Sequence, residues 1–206
     1  ELYRGTLVFA GRRTVTLWKK LPRNGELPDL VLDRTVGSVE FRELKGVALD
    51  DRRFYLADGS AGKIYVWEGI PDAETSPKFS LTIERPNRLS SDGKYLAVTS
   101  HARPGGMVLL YSLDSLSADS EPVELSGHFN LPESAVVAEG HLFVADTCFN
   151  RLLIWKRTED AIEGKAPDIR LGCQDKEPRI GPEGLFWPGA PAFDGKYLWV
   201  GEFKFS

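Results

Sequence analysis

Residues 144–155, VADTCFNRLLIW, form a segment that occurs in related forms elsewhere in the chain. It combines a short apolar strand, a polar turn built on Asp146 and Asn150, and a second apolar strand that ends in an aromatic residue. Residues 56–67 (LADGSAGKIYVW) and 97–111 (AVTSHARPGGMVLLY) have the same organisation. Whether this segment is a catalytic signature or a building unit decides how the protein is interpreted.

The terminal aromatic residues give the period of the repeat. Trp18, Trp67, Tyr111 and Trp155 end four similar strands, at intervals of 49, 44 and 44 residues. A polar linker and a short apolar run follow each of them, and two apolar runs joined by a tight turn precede the last three. The Asp-Gly dipeptide at 92–93 suits a two-residue hairpin turn, in which both residues tolerate positive φ. Each unit is therefore predicted to contain four antiparallel strands.

Units of about 40–50 residues with four strands each are typical of the blades of a β-propeller. No segment has a sustained apolar period of 3.6 residues, so the sequence predicts an all-β chain. A blade cannot bury both faces alone, and the repeated aromatic residue is expected to pack between neighbouring blades. A single domain, 1–206, is predicted, with blades at 1–32 (partial), 44–83, 86–125, 132–171 and 190–206 (partial).

The number of predicted strands bears on the size of the ring. The sequence predicts seventeen strands, fewer than five or six four-stranded blades require. The chain is therefore expected to be part of a longer propeller with five or six blades. A four-bladed ring closed by the terminal strands is the alternative, because natural proteins avoid exposed sheet edges.

Composition argues against two classes of partner. A net charge of −4 and a pI near 5.5 provide no basic surface that would attract nucleic acid or an anionic membrane. No run of about 18 apolar residues is present, so no membrane insertion is expected. The two cysteines, Cys148 and Cys173, are too few for a disulfide framework and lack metal-ligand spacing, but a bridge between them stays open.

The segment at 144–155 resembles the NHL repeat, whose consensus joins a "yVaDtgNnRI" segment to a strand that ends in an aromatic residue. The matching residues are Pro132, Gly140, Asp146, Thr147, Asn150 and Arg151. The resemblance is strongest around 130–171 and implies an NHL-like propeller of a bacterial type. It also implies an extracytoplasmic location. Asp146 is expected to accept N–H bonds from turns, and Arg151 is expected to pair across neighbouring blades.

Equivalent positions on the propeller rim supply the candidate site. Lys45, Asn87 and Glu133 each lie at the start of a predicted innermost strand, and the topology places His128 and His101 on the same face. We expect the side chains of Asn87 and Glu133 to point into or beside the central channel. These five residues are the predicted binding residues.

Two families of propeller enzymes use such positions. Residues 85–87 (RPN) resemble a stretch of the gluconolactonase and regucalcin-like lactonases, in which the Asn binds a divalent metal; Glu133 would be a second oxygen ligand. The pattern departs at Arg88, where the family has glycine, and at Lys45, a cation in place of a ligand.

Residues 127–129 (GHF), followed by Pro132, resemble the peptidyl-hydroxyglycine amidating lyases, which hold zinc with a His from each of several blades. The equivalent loops of the other blades carry no His, so no metal site and no catalytic residue is predicted. The first hypothesis is a non-catalytic module that binds an unknown protein or small molecule through its loop-rich face. The alternative is a metal-dependent hydrolase or lyase at the channel mouth. A bound metal favours the enzyme, whereas Lys45 paired with a neighbouring carboxylate favours the binding module.

Overall fold

The computed structural model describes residues 1–125, 127–173 and 184–203. Over these residues the chain has twenty β-strands, one short α-helix and one 3-10 turn. The strands are β1 (Leu2–Tyr3), β2 (Thr6–Ala10), β3 (Thr14–Trp18), β4 (Leu30–Asp33), β5 (Thr35–Val36), β6 (Val39–Glu40), β7 (Leu44–Leu49), β8 (Arg53–Asp58), β9 (Lys63–Glu68), β10 (Phe79–Thr82), β11 (Pro86–Ser91), β12 (Tyr95–Ser100), β13 (Met107–Ser112), β14 (Val123–Glu124), β15 (Pro132–Ala138), β16 (His141–Asp146), β17 (Arg151–Trp155), β18 (Ile169–Gly172), β19 (Pro188–Phe193) and β20 (Leu198–Glu202). The 3-10 turn spans Thr147–Phe149, and helix α1 spans Thr158–Ile162. No described helix is long and apolar enough to cross a membrane.

The strands form sheets in chain order. Four sheets have four strands each, β1–β4, β7–β10, β11–β14 and β15–β18, and each strand pairs with its neighbour in sequence. The β19–β20 and β5–β6 pairs form separate two-stranded sheets. The sheets β7–β10, β11–β14 and β15–β18 span Leu44–Thr82, Pro86–Glu124 and Pro132–Gly172, where complete blades were predicted at 44–83, 86–125 and 132–171. Of the last predicted blade, 204–206 lie outside the described residues.

The first sheet has four strands, β1–β4, where the sequence predicts only a partial blade at 1–32. Leu2 pairs with Leu7, and Tyr3 pairs with Thr6, so the segment LYRGTLVF is a hairpin rather than one strand. Arg4 and Gly5 form its turn with φ values of 47° and 84°. Two successive residues with positive φ are the geometry that twisted hairpins favour.

Two further elements were not predicted. The β5–β6 hairpin turns through Gly37, whose φ is 53°. Its two strands, together with the extra strand β1, raise the number of described strands from the predicted seventeen to twenty. Helix α1 begins with the buried Thr158, whose hydroxyl donates to the Gly140 carbonyl at 3.1 Å. Glu159 and Asp160 occupy its first turn, where negative charge is favourable.

The chain contains two compact units. The first unit comprises Glu1–Asn87 with Ser117–Ser120, and the second unit comprises Arg88–Leu116 with Glu121–Ser206. The single domain at 1–206 stays a prediction.

The core of each unit lies between its sheets. In the first unit, Val8 and Leu17 of the first sheet pack with Phe54 and Trp67 of β7–β10. These four side chains are at most 1% exposed, and burial of a large apolar side chain stabilises a fold by roughly 1.5–3 kcal/mol. Successive side chains along a strand point to opposite faces of the sheet, so one set of apolar side chains faces each neighbouring sheet.

The β15–β18 sheet of the second unit is covered on both faces. On one face, Val144 and Trp155 pack with Leu110 of β11–β14. On the other face, Phe143 packs against Phe193 of β19, with ring centroids 5.1 Å apart. This sheet therefore contributes two distinct apolar faces to the core.

The repeated aromatic residue occupies one register position in each four-stranded sheet. Trp18, Trp67, Tyr111 and Trp155 face Leu7, Phe54, Leu96 and Leu142 on the neighbouring strand. The three indole N–H groups each donate to a carbonyl in the following linker, at 3.1, 2.8 and 2.8 Å. Trp67 and Trp155 belong to cores that span two sheets, which confirms the predicted packing between blades.

Candidate functional site

An acid at the end of the second strand recurs in three sheets, and in two of them, at Asp58 and Asp146, it is buried. Asp58, Asp146 and Glu202 each accept a backbone N–H from the residue two positions before the first strand of the sheet, at 2.7, 2.7 and 3.0 Å. The donors are Arg42, Asn130 and Phe186. The acid therefore ties the loop that leads into each sheet to the sheet itself.

Asp146 has the most closely held carboxylate of the three. The Asp146 side chain is fully buried and accepts bonds from Arg151 Nε at 2.7 Å and Nη2 at 2.6 Å. Arg151 also donates to the His128 carbonyl at 2.7 Å. Burial raises the pKa of Asp146, although the Asn130 N–H and the guanidinium oppose this shift. The prediction that Arg151 pairs across blades is corrected, since its carboxylate partner lies in its own sheet.

The other polar residues of the segment hold the adjoining sheet. The Thr147 hydroxyl donates to the Pro188 carbonyl at 2.7 Å. The Asn150 side-chain carbonyl accepts the Trp187 N–H at 3.0 Å. The backbone N–H of Thr147 donates to the Leu131 carbonyl at 3.3 Å. The segment at 144–155 is thus a building unit whose polar groups are used to connect one sheet to the next.

In the first unit, Lys45 is paired with a neighbouring carboxylate. Its Nζ lies 2.9 Å from Glu43, which also accepts the Ser60 hydroxyl at 2.8 Å. The hydrogen bonds from Lys45 and Ser60 lower the pKa of Glu43. Asn87, the other candidate in this unit, is buried at the start of β11.

In the second unit, the structure brings together two of the predicted residues. Glu133 lies 3.7 Å from His101 Nε2 and 3.7 Å from Arg88 Nε. His101 Nε2 is also 3.4 Å from the Pro132 carbonyl. His128 lies elsewhere, with its ring 5.4 Å from that of Phe149.

The donor set does not fit a divalent metal. Over the described ranges, no three or more His, Cys, Asp or Glu side chains are grouped so as to hold an ion. The Glu133 carboxylate lies 3.7 Å from the Arg88 guanidinium, and Lys45 is a cation, so a metal at either position would meet an existing positive charge. Cys148 and Cys173 are not joined, so the disulfide that the sequence left open is absent.

Sequence reasoning missed three bulky residues with left-handed backbone. Arg85, Leu131 and Trp187 have φ values of 47°, 57° and 51°, and each directly precedes the proline that begins the first strand of a sheet. Residues before proline normally adopt extended conformations, and such positions cost roughly 1–3 kcal/mol. Within the second unit, Leu131 and Trp187 are 38% and 37% exposed. The X-Pro dipeptides predict an extended backbone, so the sequence contained no signal for this conformation.

Comparison with known proteins identifies the fold. No protein-family model and no curated protein matches the chain. Among solved structures, the WD40 β-propeller domain of Doa1 is similar, with a TM-score of 0.59 and 14% identity over 96% of this chain and 58% of that chain. The computationally designed Ika8 protein gives 0.56 and 12% over 98% and 54%. Glutaminyl cyclase from Myxococcus xanthus gives 0.51 and 13% over 78% and 62%.

These similarities show a β-propeller with four-stranded antiparallel blades, as the sequence predicts. The chain spans little more than half the length of the first two proteins. At identities of 12–14%, the likeness concerns the fold alone.

Proposed function

We propose that this chain is a non-catalytic binding module of the NHL-like type, which uses its loop-rich face to hold another protein. The observation that carries the proposal is the pairing of the candidate charges. Lys45 is held by Glu43, and Glu133 faces both Arg88 and His101. Catalytic groups need access to substrate, whereas each of these side chains is engaged with a neighbouring side chain.

Exposed apolar side chains supply the contact surface in the second unit. Leu131 and Trp187 are both hydrogen-bonded through their backbones to the segment at 147–150, so they lie on either side of one turn. These hydrogen bonds fix the backbone of both residues, which reduces the entropy that binding would cost. Partly exposed Trp residues often dominate the energy of protein interfaces. Charged Arg88 and Glu133 would then form a polar rim.

Membership of the NHL-like group is supported by the hydrogen bonds that the motif residues make. Asp146 holds its own sheet's first loop, and Thr147 and Asn150 hold the next sheet. A repeat that must join successive blades needs these polar groups at these places. The five- or six-bladed ring and the extracytoplasmic location belong to the same proposal.

The test compares loop variants of the immobilised chain in capture experiments. Leu131→Ser/Trp187→Ser should lose a partner that the wild type captures from an extract of the organism encoding it, by at least about tenfold in quantitative mass spectrometry. Leu21→Ser/Leu27→Ser is the matched control, because it removes two apolar side chains that are 60% and 83% exposed in a linker of the first unit. Equal capture by all three proteins would contradict the proposal.

Elemental analysis separates the module from the enzyme. The proposal expects no stoichiometric metal in the purified protein. Stoichiometric zinc or calcium that is lost on changing Asn87 or His128 to Ala would overturn it in favour of a metal-dependent hydrolase or lyase.

A further inference from the structure

A groove lies beside the β5–β6 hairpin, at the start of strand β9. It is lined by residues 38–40 and Arg42, which form and follow the second strand of the hairpin, and by Ala61, Lys63 and Tyr65. Its volume is about 350 Å³, and pockets that bind small molecules start at roughly 300 Å³. All of these residues belong to the first unit.

Hydrogen bonds hold the hairpin side of the groove in place. The Gly37 N–H donates to the Ala73 carbonyl at 2.8 Å, and the Ser38 N–H donates to the Ser76 hydroxyl at 3.0 Å. A Cβ at Gly37 would overlap the Ser76 backbone, so the tip of the hairpin lies directly against the linker that leads to β10. The groove is therefore present before a ligand arrives, which lowers the entropy that binding would cost.

The floor of the groove is apolar and aromatic. Val39 and Tyr65 are partly buried and pack against the core of the first unit. The ring centroids of Tyr65 and Trp67 are 6.1 Å apart. Burial and then Asp58 raise the pKa of Tyr65, against the effect of Arg42, so the phenol is protonated at neutral pH and its hydroxyl can donate. The floor thus offers an apolar surface with a hydrogen-bond donor at its edge.

Two cations line the groove without a carboxylate partner. Lys63 donates from Nζ to the Thr82 hydroxyl at 2.7 Å, which leaves two of the three ammonium hydrogens for a ligand. Within the part of the chain that the structure describes, no carboxylate lies within 4.0 Å of Lys63 Nζ or of the Arg42 guanidinium. Arg13 Nε donates to the Arg42 carbonyl at 3.2 Å, so a third cation lies close by.

The neighbouring acids do not neutralise these charges. The Asp58 carboxylate accepts three backbone N–H groups, and Glu43 is paired with Lys45. Glu40 is the only acid among the lining residues, all of which the structure describes, and it is exposed. The groove is therefore locally positive in a chain whose net charge is −4.

We propose that this groove binds a small organic anion. Arg42 and Lys63 bind its carboxylate or phosphate group, the Tyr65 hydroxyl donates a further hydrogen bond, and its apolar part lies on Val39 and Tyr65. Guanidinium and ammonium groups form charge-assisted hydrogen bonds with both kinds of acid group. The site goes beyond the proposed protein-binding function and shares no residue with it.

The test titrates probes into the ¹⁵N-labelled chain and follows the amide chemical shifts. Phenyl phosphate and benzoate carry the two acid groups on the same ring, and benzyl alcohol is the uncharged control. At least one of the two anions should shift the amides of residues 38–42 and 61–65, and benzyl alcohol should bind at least about tenfold more weakly than that anion. The anion that binds more tightly identifies the acid group, and added salt should weaken its binding.

Single substitutions assign the contacts. Arg42→Gln and Lys63→Gln should each weaken binding of the tighter anion at least about tenfold, and Tyr65→Phe should weaken it less. Glu40→Gln should strengthen binding, because it removes the like charge from the groove. Arg52→Gln is the matched control, since Arg52 is an exposed arginine in the turn between β7 and β8, at the other end of β8, and this variant should bind as the wild type does. Thermal melts establish that each variant is folded.

Three results would overturn the inference. The first is the absence of shifts at residues 38–42 and 61–65 with either anion at about 10 mM, a concentration that detects even millimolar affinity. The second is equal affinity in the wild type, Arg42→Gln and Lys63→Gln, and the third is equal binding of the anions and benzyl alcohol. None of them bears on capture of a protein through Leu131 and Trp187, so a failure here is distinguishable from a failure of the proposed function.

Discussion

The recurring acid offers a quantitative test of the building-unit interpretation, and Asp58 is its clearest example. Its buried carboxylate accepts the backbone N–H groups of Arg42, Glu43 and Ala61 at 2.7, 3.0 and 2.9 Å. Asp58→Ala removes the acceptor for all three donors. A net loss of about 1 kcal/mol per bond gives a destabilisation of about 3 kcal/mol, which is a large part of the 5–15 kcal/mol typical of a domain.

Urea denaturation followed by tryptophan fluorescence measures this loss. With a slope of about 2 kcal/mol per molar, the midpoint should fall by about 1.5 M. Asp58→Asn should lie between the wild type and the Ala variant, because its amide oxygen still accepts but its NH₂ group faces the donors. Hydrogen exchange at the three amides provides a local readout if the two units unfold separately.

A matched control distinguishes burial from the number of hydrogen bonds. Asp72 accepts three bonds from Glu74 and Thr75, at 3.0, 2.9 and 2.6 Å, in an exposed linker of the same sheet. Water can replace it, so Asp72→Ala should shift the midpoint far less than Asp58→Ala. Equal shifts for the two variants, or unchanged exchange at the three amides in Asp58→Ala, would refute the reasoning.

Three further predictions concern the second unit. Trp155→Phe should cost about 2 kcal/mol in urea melts, because it leaves a cavity and deprives a linker carbonyl of the indole N–H. The hydrogen bond from Lys94 lowers the pKa of Glu159 to about 2 from 4.5, so its stabilisation is present above pH 4.5 and is lost as pH falls toward 2. Glu159→Gln should therefore lower the free energy of unfolding by less than about 1 kcal/mol at pH 7. In melts recorded as a function of pH, this difference from the wild type should vanish near pH 2. A difference that stays constant with pH would contradict the pairing of Glu159 with Lys94. In native protein, a thiol reagent should label Cys148 slowly, because burial and then Asp146 raise the pKa of its thiol. The same reagent should not label Cys173, which is only 2% exposed. Equal labelling rates at the two cysteines would contradict the assigned burial.

The sequence was sufficient where one pattern repeats at a fixed interval. The aromatic period predicted three complete sheets within a residue or two, because a large side chain at one register position must be buried between sheets. Short strands such as β1 and β5 were not predicted, since two residues are too few to establish an alternating pattern. The Arg4–Gly5 turn was visible only once the pairing of Leu2 with Leu7 was known.

The candidate site was less predictable, because the sequence shows which residues are charged but not which residues they contact. Glu133 and His101 lie far apart in sequence, and their approach to 3.7 Å depends on the packing of two sheets. The left-handed backbone of Leu131 and Trp187 runs against the local preference of residues that precede proline. Bonds from the neighbouring turn hold it, and these are set by tertiary structure.

The pairing of every described strand with its neighbour in sequence has a consequence for folding kinetics. Each hydrogen-bonded ladder closes only a short loop, so its entropic cost is low, and a sheet can form before the rest of the chain has been synthesised. Cooperativity between sheets then depends on side-chain packing and on single bonds such as that from Thr147 to Pro188, as in other arrays of repeats. A gene that gains or loses one whole four-stranded unit would keep every hydrogen-bonded ladder of the other sheets intact. Duplication of a blade would therefore disturb little of this chain's backbone hydrogen bonding.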